Sequence, residues 1–387
     1  MSVFVAGMGA VSSPGNSVQD SFSAIVQGRD GIKPLSIFDS RLKVPPLCAE
    51  IAEIPEKYSD LYRSLALAMA AVDEAMHAIP DRENIRIGIL VATTVAGISQ
   101  TERFYEALRK DSSIIDRSAT EFAVHEPTVL AGEICRRTGG SGFHTVSTAC
   151  STGLHIIGMA KRFLEQGTYD ACLAVGTDAL SILTVRGFAS LMLLDPNGCR
   201  PFDKRRAGIS LGEGAGAMLL TTEKFISRCI SKPLAIVSGW GASADCFHMT
   251  APHPEGLGAQ LAVKDAIDEA GIAPEQIDLI AAHGTGTPDN DKAEIKAMKS
   301  IFSSLPPFCS MKRTLGHTLA ASGILESVLA VKALQEGIIP PTAGFEIEDE
   351  EIGASPSEVM NRPLKHVLKN SFGFGGNNAA VVFTKAE

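Results

Sequence analysis

The chain has 387 residues, 45% of them apolar and 20% charged, which is the composition of a soluble globular protein large enough for two or three packed units. Its formal net charge of −9 argues against a nucleic-acid-binding protein, which would need a basic face. No apolar run reaches the roughly 20 residues of a membrane span, and the N-terminal segment lacks the basic leader of a signal peptide. We therefore expect a cytoplasmic protein that binds neither nucleic acid nor membrane.

Short β-branched apolar runs alternate with segments of helical periodicity, a pattern typical of an α/β fold whose sheets are covered by helices. The predicted strands are Val3–Ala6, Ile85–Ala92, Ala171–Val175, Ala215–Thr221, Ile277–Ala281 and Ala379–Phe383. The predicted helices are Val18–Val26, Ser64–His77, Gly153–Glu165, Ala259–Ala270 and Gly323–Glu336. An acidic stretch that contains Pro and Gly, Glu346–Arg362, predicts a surface excursion.

Two pairs of helical segments repeat along the chain. Segment 152–167 matches segment 322–337 at a constant offset of 170 residues, and AVDEA at 71–75 matches AIDEA at 266–270. One such match arises easily by chance, but two in the same order indicate a duplicated α/β unit, with halves at 1–220 and 221–387. Paired halves would bring Cys150 and His317, each just before one of the repeated helices, to the same place.

Cys150 lies among small residues, in TACSTG, where a helix is predicted to begin. Small neighbours allow a substrate to approach closely, and the partial positive charge of a helix start favours the thiolate, the nucleophilic form. The eight cysteines of the chain form no Cys-X-X-Cys pair and are too sparse for a disulfide scaffold, so we expect reduced thiols and no bound metal. A buried structural thiol is the alternative interpretation of Cys150.

Other candidates for chemistry lie in the second half of the chain. His283 ends an apolar strand and opens a glycine loop, a common position for site residues in α/β proteins, although a hydrogen-bonded loop histidine fits equally well. Lys312, His317 and Glu326 fall in SMKRTLGHTLAASGILE, around another small-residue helix start. Taken one at a time, each of these three residues is compatible with a structural role.

Two loops have compositions suited to binding. NSFGFGGNN contains Phe372, Phe374 and Gly375, and its backbone N–H groups are free to bind an anion, but it precedes a strand and so is not a nucleotide fingerprint. Lys204, Arg205 and Arg206 form a basic run, which is either solvated surface or a docking face for an acidic partner.

Taken together, the motifs TACSTG, RPFDxxRxGxxxGEGAG, HGTGTPDND, KRTLGHTLAASGILE and NSFGFGGNN resemble those of the elongating β-ketoacyl-acyl carrier protein synthases, the thiolase-fold condensing enzymes of fatty acid and polyketide synthesis. The resemblance runs from Val3 to about Phe383. It implies a duplicated αβαβα five-layer fold and an acyltransferase without a cofactor. The implied reaction is decarboxylative Claisen condensation of a cysteine-bound acyl group with malonyl-acyl carrier protein.

The resemblance also assigns roles to single residues. Cys150 matches the acyl-accepting nucleophile, His283 and His317 the pair for decarboxylation and carbanion stabilisation, and Lys312 and Glu326 the lysine and buried acid that support them. Phe374 matches the gating phenylalanine, whose N–H forms an oxyanion hole with that of Cys150, in a loop with Phe372 and Gly375. Phe188 matches a pocket phenylalanine that meets the gate.

Partners follow from the same resemblance. They are an acyl carrier protein, docked on Lys204, Arg205 and Arg206, and a second subunit, either another copy or a chain-length-factor homologue. A chain-length factor itself usually lacks the nucleophilic cysteine, and coenzyme A-using relatives usually have cysteine or asparagine where His317 stands. A cysteine hydrolase would not need the second histidine or the gating loop.

Two departures bear on the substrate. Ala207 stands where the family often has Asp, and segment 93–116 lacks the expected glycine-rich form. Because that segment helps to line the acyl pocket in the family, the acyl chain and the pathway stay open between fatty acid, polyene and polyketide synthesis.

Overall fold

The computed structural model describes residues 1–386 of the chain. Its strands, in chain order, are β1 Val3–Val11, β2 Lys33–Pro34, β3 Leu47–Cys48, β4 Ile87–Ala92, β5 Gly142–Val146, β6 Ala171–Asp178, β7 Gly214–Thr222, β8 Ala235–Ala244, β9 Leu279–Ala281, β10 Phe308–Cys309, β11 Ile338–Ile339, β12 Met360–Asn361, β13 His366–Phe372 and β14 Asn377–Thr384. Its α-helices are α1 Val18–Val26, α2 Arg63–Met76, α3 Ile98–Lys110, α4 Ser118–Ala123, α5 Pro127–Thr138, α6 Thr152–Glu165, α7 Ile182–Ser190, α8 Glu223–Ile226, α9 Leu257–Ala270, α10 Pro288–Ile301, α11 Lys312–Leu315 and α12 Ala321–Glu336.

The main sheet repeats one strand order in its two halves. The first half runs β1-β7-β6-β4-β5 and the second runs β8-β14-β13-β9-β10. In both halves the first two pairings are antiparallel and the last two are parallel. Among the described residues, the two half-sheets are joined where Phe4 and Val5 of β1 pair with β8. The predicted duplication is confirmed by this topology, while the boundary at residue 220 stays a prediction.

Five layers follow from how the helices pack. α6 and α12 lie between the two half-sheets, because α6 contacts both β6 and β14 and α12 contacts both β7 and β13. α2 and α5 cover the outer face of the first half-sheet, and α9 covers that of the second, with α10 packed beside it. α12 is buried along most of its length, as a helix enclosed on all sides must be. The αβαβα architecture expected from the sequence is therefore confirmed.

The polar outer helices escaped the sequence analysis. α3 buries only Ile98, Ser99 and Phe104, so its apolar periodicity is weak. α10 begins at the Thr287 cap with Pro288 in its first turn, a start signal that the glycine loop before it obscured.

The segment Glu346–Arg362 is only partly the surface excursion that we predicted. Ile352 and Ala354 are buried in the core beside α10, and Asp349 pairs with the buried Arg206. The acidic composition of the segment concealed these anchors.

All eight cysteines are free thiols in the structure. Within residues 1–386, helices of the length and apolarity that a bilayer crossing requires do not occur.

Candidate active site

Cys150 occupies a sharp turn between β5 and α6. The preceding Ala149 has φ 51°, in the left-handed region, and α6 begins two residues after the cysteine. The Ser371 hydroxyl donates to the Cys150 carbonyl at 2.9 Å, which ties the turn to β13 of the other half. The backbone N–H groups of Cys150 itself and of Phe374 lie close enough to the sulfur to lower the pKa of the thiol. An oxygen bound at this point would therefore meet two aimed donors.

Two histidines from the second half reach the same sulfur. Ligand-type atoms of Cys150, His283 and His317 all lie within 4.8 Å of one another, and all three residues are buried. The two imidazole rings stand nearly perpendicular, at 88°, with centroids 5.6 Å apart. The structure thus brings together the three residues that the sequence predicted would meet.

Backbone contacts fix both histidines. The His283 and Gly284 N–H groups each donate to the Glu294 carboxylate at 2.8 Å. The His317 N–H donates to the Ser210 carbonyl at 2.7 Å, in the loop that carries the GEGAG motif. Glu294 lies in α10, which the sequence analysis missed, and the start signal of that helix, the Thr287 cap followed by Pro288, could have located it.

The tautomer of His317 follows from its neighbour. The Leu319 N–H donates to Nδ1 of His317 at 3.2 Å, so in the neutral ring the hydrogen resides on Nε2. Cysteine and histidine are zinc-binding residue types, but neither ring nitrogen of this tautomer offers a free lone pair. His317 is therefore set up as a hydrogen-bond donor rather than as a metal ligand.

Burial controls the charge states at the site. Burial raises the pKa of the Cys150 thiol to about 11, although nearby Lys312 and the Phe374 N–H lower it. Burial, assisted by the charge of Lys312, holds the pKa values of His283 and His317 well below 6.5. The resting site is a thiol beside two neutral imidazoles. Our expectation that the helix start would favour a thiolate is wrong for this resting state, because desolvation outweighs the local positive charge.

A buried ion network lies beneath the histidines. Glu326 of α12 pairs with the ammonium of Lys312 through one oxygen and with that of Lys369 through the other, the latter at 2.6 Å. Although burial opposes it, the two lysines lower the pKa of the Glu326 carboxyl. Lys312 and Glu326 were candidates from the sequence, and the structure joins them. Lys369 was missed, although a lysine inside the apolar strand VLKNSF is a visible signal.

Asp178 is a third residue that the sequence analysis missed. Its buried carboxylate accepts from the N–H groups of Thr94, Val95 and Ala320, and so ties the ends of β4 and β6 to the turn after His317. Burial raises the pKa of Asp178 to about 6. Leu319, in the turn that it holds, has φ 51°, like Ala149 before Cys150.

The glycine loop between β13 and β14 closes the site. The Phe374 ring stacks on Phe188, with centroids 5.8 Å apart and 30° between the planes, as the pairing of gate and pocket residue predicted. Phe372 packs its ring edge-on against His283, 5.9 Å away. Gly375, with φ 79°, donates its N–H to the Met249 carbonyl at 2.8 Å, so that N–H does not face the site. The Phe374 N–H is the donor that this loop supplies.

The basic run Lys204–Arg206 is mostly neutralised by its own chain. Arg206 is buried and pairs with Asp349, so its charge does not reach the surface and our docking prediction for it is wrong. Arg205 is exposed but pairs with Asp203 and Glu346. Lys204 is exposed at the turn beside it.

Two models of known protein families match the chain. The family described as Beta-ketoacyl synthase, N-terminal domain, matches residues 1–225, and Beta-ketoacyl synthase, C-terminal domain, matches residues 234–346. A 3-oxoacyl-[acyl-carrier-protein] synthase 2 of Coxiella burnetii is 32% identical over 409 residues, which cover 99% of this chain and 98% of the relative.

Solved structures agree as well. The ishigamide ketosynthase/chain length factor is 28% identical with a TM-score of 0.90, over 100% of this chain and 99% of that one. A ketosynthase in complex with its chain length factor from Xenorhabdus doucetiae is 28% identical with a TM-score of 0.81, over 100% and 98% of the two chains. The predicted thiolase-like fold and acyltransferase class are confirmed by these matches. The chain therefore belongs to the β-ketoacyl synthase family.

Proposed function

We propose that this β-ketoacyl synthase joins an acyl group held on Cys150 to malonyl-acyl carrier protein by decarboxylative Claisen condensation, in fatty acid or polyketide synthesis. One observation carries the proposal: a thiol, two neutral imidazoles and two backbone donors meet at the floor of one cavity. A hydrolytic cysteine site needs one such base. The second imidazole serves the chemistry of a second substrate.

The first half-reaction transfers the acyl group. The Cys150 sulfur attacks the thioester carbonyl, and its proton passes to a neutral imidazole, which returns it to the departing carrier thiolate. The oxyanion of the tetrahedral intermediate accepts the N–H groups of Cys150 and Phe374, and one such donor contributes about 3 kcal/mol to the transition state. Departure of the free carrier opens the same cavity to the malonyl carrier, a ping-pong order.

The second half-reaction forms the carbon–carbon bond. The malonyl group loses CO₂, and the electron pair of the broken bond forms an enolate at the thioester. The Nε2–H of His317 donates to the enolate oxygen, with His283 beside it. The enolate carbon then attacks the acyl carbonyl on Cys150, and the C–S bond breaks. The Cys150 thiolate takes up one proton from water, which neutralises the charge that the malonyl carboxylate brought in.

The supporting residues act on this chemistry indirectly. Lys312 and the Glu326 carboxylate form the charged layer under the histidines, and the charge of Lys312 adds to burial in lowering the pKa values of both imidazoles. Phe188 and Phe374 stack across the cavity, so the acyl chain enters only when this stack opens.

The partners that we propose are an acyl carrier protein and a second ketosynthase-fold subunit. Lys204 and Arg205 remain the exposed basic residues for an acidic carrier. The β5 strand ends the main sheet, with Phe143 44% exposed, and within residues 1–386 only β4 pairs with it. Such an open, apolar edge is suited to pairing with another chain. A cytoplasmic location agrees with the free cysteines.

Intact-protein mass spectrometry tests the proposal. The protein is incubated with acyl-acyl carrier protein, and in parallel with the acyl-coenzyme A of the same chain. Acylation of Cys150 from the carrier, followed by β-ketoacyl carrier and CO₂ when malonyl-acyl carrier protein is added, is the expected result. Acylation that ends in free acid would support a hydrolase. Preference for coenzyme A would support a thiolase-like enzyme.

A further inference from the structure

Lys369 is a buried ammonium group that takes part in neither half-reaction. It lies in β13, opposite Ala281 of β9, and is 0% exposed. Its Nζ pairs with Glu326 at 2.6 Å and donates to the carbonyls of Asn370 at 2.7 Å and Ala282 at 3.2 Å. Three oxygens thus satisfy its three hydrogens. Lys369 has no proton left to offer a substrate, so its role is exerted through the groups that it holds.

Those groups flank His283 on both sides. Ala282 immediately precedes His283, and its carbonyl is held by Lys369. The peptide N–H groups of His283 and Gly284 are held by Glu294, whose carboxylate also accepts the side-chain amide of Asn370, the residue after Lys369. The β13 strand therefore clamps the His283 loop through one lysine and one asparagine. A buried ion whose hydrogen bonds are all made is a rigid anchor.

Lys369 also sets the charge under the histidines. It shares the single Glu326 carboxylate with Lys312, so two ammonium groups face one carboxylate. The surplus positive charge of this trio acts on both imidazoles, and Lys369 contributes to lowering the pKa values of His283 and His317. The hydrogen bonds that hold the His283 loop and the positive charge beneath the histidines thus both involve Lys369.

We propose that Lys369 is a positioning residue for the condensation half-reaction, whose ammonium clamps the Ala282–His283 peptide and shares Glu326 with Lys312 so that the histidine pair stays in place and neutral. The proposal rests on the proposed function of the site. It separates Lys369 from the residues that touch substrate, because its effect reaches the reacting atoms only through His283 and Glu326.

The matched variants are Lys369→Met, which keeps the length of the side chain, and Lys332→Met, on the surface side of α12, as the control. We expect Lys369→Met to lose condensation by roughly 10²-fold, the scale of a catalytic group displaced by about 1 Å. The rate of Cys150 acylation, which mass spectrometry measures, should fall far less, because acylation does not need both histidines to be correctly positioned. Lys332→Met leaves both steps unchanged.

The pH profile separates this role from a merely structural one. Loss of the ammonium removes a positive charge beside the imidazoles, so the pKa values of the histidines rise and the acid limb of condensation moves to higher pH. The charged and titratable groups around the pair are Cys150, Asp178, Glu294, Lys312, Glu326 and Lys369, with Asp245 and Asp289 on the lining of the same cavity. A generally loosened site would lower the rate at every pH and leave the limb in place.

Chemical rescue provides a second readout. Lys369→Ala leaves a space bordered by three oxygen acceptors, which methylammonium fits by charge and hydrogen bonding. Condensation by this variant should rise with methylammonium and saturate, while tetramethylammonium, which has no N–H donor, has no effect. If Lys369→Met does not fold, Lys369→Ala is purified with methylammonium and assayed after its removal.

Two results would each overturn the proposal. The first is condensation at the wild-type rate by Lys369→Met or by Lys369→Ala. The second is a folded variant of reduced activity whose acid limb lies at the same pH as that of the wild type. Failure of the wild-type protein to acylate Cys150 would instead overturn the proposed function.

Discussion

Gly153 and Gly323, one near the start of each central helix, touch backbone to backbone. A Cβ added to Gly153 would lie 2.3 Å from the backbone nitrogen of Ile324, and one added to Gly323 would lie 2.9 Å from the Cα of Gly153. The two glycines occupy equivalent positions in the sequence repeat, at the offset of 170 residues. This contact sets how closely the start of α6, after Cys150, approaches the start of α12, after His317.

Gly153→Ala should therefore destabilise the protein by about 1–3 kcal/mol, the usual cost of overpacking a core. The clash is with backbone, so a side chain cannot rotate away from it, and the helices must separate. Urea denaturation monitored by circular dichroism measures the change. Gly187→Ala is the matched control, because it lies in α7 with no atom within 4 Å of the added Cβ. Equal midpoints for the two variants would contradict the close packing.

Cys150→Gln should abolish condensation and release CO₂ from malonyl-acyl carrier protein faster than the wild-type enzyme does without acyl primer. The glutamine has no nucleophile, but its amide carbonyl resembles the acylated cysteine held by the N–H groups of Cys150 and Phe374. The measurement is radioactive CO₂ from labelled malonyl carrier, together with product analysis. Cys229→Gln, at a partly exposed thiol outside the cavity, is the control. Condensation by Cys150→Gln would refute the nucleophile.

His317→Ala should separate the two half-reactions. Acylation of Cys150 continues, because His283 remains as a base and the oxyanion donors are untouched. Condensation falls by roughly 10²–10⁴-fold, the contribution of a positioned acid or base, because the enolate loses its Nε2–H donor. Single-turnover acylation by mass spectrometry and steady-state condensation give the two rates. If acylation were lost and condensation survived, His317 would be the base for acylation and His283 the donor to the enolate, the reverse of the roles proposed here.

The acid limb of condensation should lie below pH 6.5, the ordinary pKa of histidine. Burial and the nearby lysines lower the pKa values of His283 and His317, so the neutral, active imidazoles persist as the pH falls until those lowered values are reached. The pH dependence of kcat/KM reports the free enzyme and is the appropriate measurement. The contrary result is an acid limb at or above pH 6.5 that shifts in the His283→Gln variant. It would show that the histidines carry charge near neutral pH and would contradict the neutral imidazoles assigned here.

The sequence predicted those parts of the site that short, contiguous motifs encode, and missed those that depend on residues far apart in the chain. Cys150, His283, His317 and the Phe374 loop stand in short glycine-rich motifs, and the duplicated helices placed two of them together. Asp178 acts through a contact between the two halves, with the N–H of Ala320, and Lys369 acts through Glu326 and Ala282, which are 43 and 87 residues away in the sequence. No local pattern encodes such distant partners. Arg206 misled for the same reason, since its partner Asp349 lies 143 residues away in a segment whose composition predicted surface.

The charge state of Cys150 is a further limit of the sequence. The motif and the helix start favour a thiolate, but the degree of desolvation depends on the gate, the histidines and β13 together. Only the assembled site shows that burial dominates and raises the pKa of the thiol to about 11. The activating base must then come from the imidazoles, which places part of the nucleophile's reactivity in the other half of the chain.

The exposed part of the basic run gives the last prediction. The double variant Lys204→Glu, Arg205→Glu should raise the KM for acyl-acyl carrier protein by roughly tenfold, because steering of an acidic partner depends on the sign of exposed charges. The kinetics with a small acyl thioester that lacks the carrier should be unchanged, since neither side chain lines the cavity. The double variant Lys232→Glu, Lys264→Glu, at two other exposed lysines, is the control with the same change of net charge. Salt should weaken the wild-type interaction more than that of the double variant. Because Arg205 already pairs with Asp203 and Glu346, we expect Lys204 to account for most of the effect. An unchanged KM for the carrier would contradict docking on this basic run.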